Sequence, residues 1–128
     1  MNEKLEKNKK NVITFYNLVF NKGKPKEAAE TYFGDDYIQH NPNVATGIQG
    51  FIDAFEEATG KSPANRTEFK KIFAEGDYVI VHCHHHWPNR QEYAGIDIFR
   101  LDHNGKIVEH WDVLQPIPEN SVHDNRMF

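Results

Sequence analysis

The strongest constraint in this 128-residue chain is the dipeptide Asn104-Gly105. Asn-Gly between two strand-like runs signals a β-hairpin, because both central residues of a type I′ turn need φ > 0. A two-residue loop fixes the register of everything that flanks it. Paired residue numbers then sum to that of His103 plus Lys106. Asp97 falls opposite Asp112, Arg100 opposite Glu109, Ile98 opposite Trp111, Phe99 opposite His110 and Leu101 opposite Val108. The register supports itself, pairing opposite charges on one side and apolar groups on the other. It also sets two carboxylates roughly 5 Å apart at Cβ, among Phe99, Leu101, Val108 and Leu114. Like charges on an apolar face are rarely brought together for stability alone.

Upstream, residues 3–20 read as an amphipathic helix, with Val12, Phe15, Tyr16, Val19 and Phe20 at helical spacing. Pro25 suits the first turn of a short helix over 25–33, which Gly34-Asp35-Asp36 breaks. Tyr37 to Pro42 is extended, since the residue before proline avoids the α region. A third helix over 47–59 carries Ile48, Phe51, Ile52 and Phe55, with Gly60 at its C-terminal cap. Strands follow at 66–74, 78–87, 93–101 and 106–115, the first two joined by Glu75-Gly76-Asp77. Three helices before an antiparallel meander of four strands predict an α+β fold in a single domain over 1–128. Both faces of the last two strands are apolar. Ile96, Ile98, Trp111 and Val113 share one side, which predicts a partner subunit there and helices or a pocket on the other.

Composition excludes several classes. The charge is −4 with histidines neutral, and the 15 basic and 19 acidic residues are interspersed, so nucleic acid is not an expected partner. No apolar run is long enough to span a bilayer, and the N-terminus has no signal-peptide core, so a soluble cytoplasmic protein is expected. The single cysteine, Cys83, rules out an internal disulfide and a cysteine-based zinc site, and reads as buried filler.

The blocks Tyr37-Ile-Gln-His40-Asn-Pro, Gly95-Ile-Asp-Ile-Phe-Arg and Gly105-Lys-Ile-Val-Glu-His-Trp-Asp112 resemble the SnoaL-like polyketide cyclases, within the nuclear transport factor 2-like superfamily. The resemblance covers roughly the whole chain. It implies a cone-shaped α+β fold, with three N-terminal helices packed on a curved antiparallel sheet. It also implies an aspartate on the last strand, here Asp112, acting as general acid/base in an intramolecular aldol condensation without metal or cofactor. Those cyclases carry a histidine on the preceding strand where this chain has Asp97, and their loop is longer where this chain has Pro88 to Glu92. The same domain hosts isomerases, dehydratases, hydrolases and non-catalytic binders.

Two carboxylates in a low-dielectric pocket repel, so one is expected to hold a proton while the other stays charged. That suits removal of a proton next to a carbonyl, with Asp112 as base and Asp97 as its protonated partner or alternate acid. His40 and Asn41, on the extended segment between helices, are expected at the pocket mouth, where they could polarise a carbonyl or hold an enolate. His110 and Phe99 share the carboxylates' surroundings. In the run His82-Cys83-His84-His85-His86-Trp87, alternate residues share a face. An odd pairing sum with the next strand puts His82 and His84 beside Asp97; an even sum puts Cys83 and His85 there. The expectation taken forward has His82 and His84 in the pocket, and His85 and Trp87 at a dimer interface. The site so expected comprises Asp112, Asp97 and His40 for catalysis, and Asn41, His82, His84, His110 and Phe99 for substrate binding, with no cofactor. The alternatives are a small-ligand binder without turnover, and a metal site of two of these histidines plus Asp97.

Overall fold

The computed structural model describes residues 2–61, 66–87 and 91–128. Helix α1 spans Asn2–Tyr16 and buries Val12, Phe15 and Tyr16 along one stripe. The helical pattern continues to Asn21, but Asn17–Asn21 form a wider π-helical turn closed by Lys22 N donating to Asn17 O at 2.9 Å. Asn21 gives the reason. Its side chain accepts from Thr67 N at 2.7 Å and donates to Thr67 O at 3.1 Å. The helix end is thereby tied to the start of the sheet. Helix α2 runs Pro25–Tyr32 with Pro25 in its first turn, as its missing N–H allows. Helix α3 runs Ile48–Lys61 and continues past Gly60, where the sequence suggested a stop.

The sheet has five strands: β1 Phe33–Gln39, β2 Arg66–Glu75, β3 Tyr78–His86, β4 Tyr93–Leu101 and β5 Ile107–Pro116. Their order is β1-β5-β4-β3-β2. The expected meander is therefore correct for four strands and incomplete by one. Strand β1 pairs parallel to β5 and makes the sheet mixed. Its pairing begins at Phe33, in the stretch whose Gly34-Asp35-Asp36 read as a mere helix breaker. Gly34 is what lets β1 lie so close, since a Cβ there would stand 2.7 Å from Val108 Cγ1. Phe33 and Tyr37 are buried and stack with centroids 4.0 Å apart.

The β4–β5 register is as expected from Arg100↔Glu109 to Asp97↔Asp112 and beyond, yet the turn is not a two-residue one. Asp102 N donates to Lys106 O at 2.8 Å, and Gly105 N to Asp102 O at 2.9 Å. The loop is thus three residues, with Gly105 at φ 76°. The Asp102 side chain selects it by accepting from Asn104 N at 2.8 Å and Lys106 N at 3.0 Å. Leu101 then faces Ile107, not Val108, and Val108 is an extra, bulged residue. The longer loop and the bulge offset each other, which returns Asp97 to Asp112.

The helices cover one face of the sheet. Phe15 sits centrally, with its ring 5.1 Å from Phe33, 5.6 Å from Phe51 and 6.2 Å from Phe99. The other face exposes Phe73, Tyr78, Ile80, Ile96 and Val113. Among the described residues, no helix is long and apolar enough to cross a membrane. Gly105→Ala is expected to lower stability by about 1–2 kcal/mol, the cost of holding an L-residue in the left-handed region. Urea unfolding measures it, and an unchanged midpoint would contradict the three-residue turn.

Candidate active site

Strand β3 pairs β4 through Val81↔Asp97 and His82↔Ile96, an even sum. Val79, Val81, Cys83 and His85 therefore turn toward the helices, all of them buried. This corrects the placement expected for His82 and His84, which lie on the opposite face. Four residues that all bury on the odd side decide the matter, since a one-residue slip would expose every one of them.

Asp97 is fully buried beneath the aromatic core. Its Oδ1 lies 2.8 Å from His110 Nε2. The other ring nitrogen of His110, Nδ1, lies 2.8 Å from Gln39 Oε1. Gln39 Oε1 also accepts from Asn41 N at 3.0 Å, while Gln39 Nε2 donates to Tyr37 Oη at 2.8 Å. A backbone N–H can only donate, so this amide presents its oxygen to His110, and Nδ1 must carry a proton. The contact with Asp97 then holds one further proton, and we write it as an imidazolium facing a carboxylate. A buried charge needs such a partner. Asp97 Oδ2 is buried without one.

Asp112 stands beside this pair, its Oδ2 4.0 Å from His110 Nε2. Asn41 Nδ2 donates to both of its oxygens, at 2.9 and 3.0 Å. Burial pushes the Asp112 carboxyl above its ordinary value, against the opposing pull of His110 and Asn41, and Asp97 adds a smaller push upward. Around the group lies a cavity of about 40 Å³, walled by Phe20, Val44, Phe51, Phe55, Phe99 and others of the same aromatic cluster. Tyr16 and Tyr37, also on the wall, are held neutral by burial first and by the Asp97 charge second. Burial likewise raises the Cys83 thiol above its ordinary value, which disfavours the thiolate. His85, its Nδ1 2.9 Å from Thr67 Oγ1, is kept neutral chiefly by burial.

The profile of the SnoaL-like domain matches residues 12–110. The chain belongs to the SnoaL-like family. No functionally curated protein matches it in sequence. Among solved structures, this SnoaL-like chain is similar to an LEH-like epoxide hydrolase of M. tuberculosis, at 18% identity and a TM-score of 0.73, covering 87% of this chain and 84% of that one. AclR of Streptomyces galilaeus is similar at 18% identity and 0.72, covering 87% and 90%. TsrD of Streptomyces laurentii is similar at 18% and 0.69, covering 82% and 86%. At such identities these likenesses establish the fold.

In this candidate site the structure brings together Asp97, Asp112, His110, Asn41 and Phe99. It does not bring His40 there. His40 lies on the outer side, its Nε2 2.8 Å from Glu109 Oε2 and its ring stacked on Trp111 at 4.8 Å. Adjacent residues of an extended segment face opposite ways, so Asn41 enters the pocket and His40 cannot. Gln39 is the residue that sequence reasoning missed. The same alternation would have found it, since Tyr37, Gln39 and Asn41 share one side. Among the described residues, three sets of side chains bring potential ligand atoms within 4.8 Å of one another: Asp97, His110 and Asp112; Cys83, His85 and Asp97; and, on the outer face, Glu68, His84 and His86.

Gln39→Leu leaves His110 Nδ1 without an acceptor. It should cost about 1–3 kcal/mol of stability. The ¹⁵N spectrum of His110 should show Nδ1 protonated in the native chain and that preference lost in the variant. An unprotonated Nδ1 in the native chain would contradict the assignment.

Proposed function

We propose that this SnoaL-like chain is a cofactor-independent acid/base enzyme acting on a compact, partly apolar molecule with an acidic C–H next to a carbonyl. Asp112 takes the proton as a carboxylate and returns it elsewhere as an acid. Cyclisation of the aldol type, isomerisation and dehydration share that step. The single observation that carries the reading is Asp112 itself, a half-hidden carboxylate with a raised pKa on the wall of an aromatic cavity. A base of raised pKa is a better proton acceptor and stays ionised above that value.

The neighbours take roles from their positions. Asn41 fixes the plane of the Asp112 carboxylate. His110, held by Gln39 and Asp97, sets its charge 4.0 Å from Asp112 and favours that group's ionised form. Asp97 keeps that charge in place, a positioning role in place of the acid role that the sequence suggested. The void is about 40 Å³, which suits a compact substrate.

Activity should rise with pH through the raised Asp112 value and then level off. Stability should move the other way. A carboxyl whose folded pKa is raised favours folding when protonated, so its contribution is greatest at low pH and falls as pH climbs through that value. Asp112→Asn removes both effects. Enzyme-dependent exchange of α-hydrogens for deuterium, followed by NMR over a panel of small ketones and β-dicarbonyl compounds, tests the reaction. The variant should lose on the order of 10²–10⁴-fold in rate. Exchange that survives the substitution would rule out Asp112 as the base. Saturable binding without exchange in the native chain would favour a ligand-binding domain instead.

The outer face supports a homodimer through the sheet. Phe73, Tyr78, Ile80, Ile98 and Trp111 line an open apolar trough there, of the kind that marks an interface. Sedimentation should show a dimer that Ile80→Arg converts to monomer. A native monomer at micromolar concentration would contradict this.

A further inference from the structure

The outer face carries a second cluster that the proposed reaction does not use. His84 and His86 are two residues apart on β3, so their side chains leave the same face. Their rings stack with centroids 3.8 Å apart. Glu92, just ahead of β4, places Oε1 2.5 Å from His84 Nε2 and 3.4 Å from His86 Nδ1. The remaining nitrogen of His86, Nε2, lies 2.7 Å from Glu68 Oε1 on β2. Glu68 is itself held by Arg66 and Lys70, each at 3.0 Å.

We propose that His84 Nε2, His86 Nδ1 and Glu92 Oε1 bind a divalent transition-metal ion of the Zn²⁺ class. Two imidazoles and a carboxylate are a donor set that suits zinc, with a fourth position left for water. Bonds of about 2.0–2.1 Å at a tetrahedral centre separate ligand atoms by about 3.3–3.4 Å, which is the His86–Glu92 spacing already present. The shorter His84–Glu92 contact needs to open by about 1 Å as the ion replaces the shared proton. Glu68 then completes the arrangement from outside. A ligating histidine commonly donates its other N–H to a carboxylate, which fixes its tautomer and ring plane. Arg66 and Lys70 anchor that carboxylate and do not compete for the ion.

The remaining surroundings agree. His84 Nδ1 is buried without a partner, so Nε2, aimed at Glu92, is the nitrogen this ring offers outward. One side is closed by Phe128, stacked on His84 at 4.6 Å. The other is open to solvent through Glu92, whose side chain is 50% exposed. The site lies roughly 20 Å along β3 from Tyr78, clear of the apolar trough. Asp97 takes no part, because it lies on the other face of the sheet.

The test uses full-length protein without a histidine tag, stripped with chelator and titrated with Zn²⁺ against a chromophoric competitor, with Co²⁺ absorption as a second readout. One ion per chain is expected, with an intense low-symmetry Co²⁺ spectrum and a rise in melting temperature on loading. His84→Phe, which keeps the stack on Phe128, and Glu92→Gln should each abolish the site. Glu68→Gln should weaken it about 10–100-fold. His82→Gln and Cys83→Ala should leave it unchanged. Equal, weak binding by the native chain, His84→Phe and Glu92→Gln would overturn the proposal. So would binding that is lost in Cys83→Ala and kept in the outer-face variants. Melting temperatures of the metal-free variants show whether each is folded.

Discussion

The contact between Asp97 and His110 is what the rest of this molecule is arranged around. A fully buried carboxylate beneath Phe99 and Tyr16 is untenable alone, because an unpaired charge in an apolar interior costs far more than a domain's stability margin. The imidazole across the hairpin supplies the partner at 2.8 Å. That pairing exists only because Phe99 and His110 sit opposite each other, two residues from the Asp97–Asp112 pair. The register therefore sets the electrostatics. His110 spends its charge on Asp97 at close range and reaches Asp112 only at 4.0 Å. Asp112 is left with an upward shift from burial and the chemistry that follows from it.

The two faces of the sheet divide the work. The helix-covered face holds an aromatic core with one polar seam, Gln39, Asn41, Asp97, His110 and Asp112, running through it. Three of these come from strand residues on β4 and β5. The other two arrive from β1 and the segment after it, whose parallel pairing to β5 brings Gln39 beside His110. The outer face holds exposed apolar side chains at one end of β3 and the histidine–glutamate cluster at the other. The run His82 to Trp87 supplies both faces, and its function divides with them.

Much of this was legible in the sequence, and the reasons differ residue by residue. The Asp97–Asp112 pairing followed from a turn signal whose details were wrong. Asp102 captures two backbone N–H groups and lengthens the loop, and the Val108 bulge restores the count. Neither is visible in an Asn-Gly pattern alone. His110 could be placed because the hairpin register sets it opposite Phe99, and Asn41 because it lies on the extended segment between two helices. His40 was misplaced by treating two adjacent residues as if they shared a side, and Gln39 was passed over for the same reason. The face of β3 was illegible for a physical cause. Both of its faces carry apolar residues and histidines, and the loop before β4 does not fix a register. Only the packing of Val79, Val81, Cys83 and His85 against the helices chooses. The fifth strand was hidden because a Gly-Asp-Asp run has weak strand propensity, and Gly34 serves there as a point of close approach.

Asp112 and Asp97 stand in different electrostatic surroundings on one apolar wall, the first beside Asn41 and the second against His110. Side-chain carboxyl ¹³C shifts of both aspartates, followed from acid to neutral pH in the native chain and in His110→Gln, measure that difference directly. Asp112 should titrate above the ordinary carboxylate value of about 3.9. Removing the imidazole in His110→Gln should move Asp112 further upward. An Asp112 that titrates at or below the ordinary value, or that ignores the loss of His110, would contradict this.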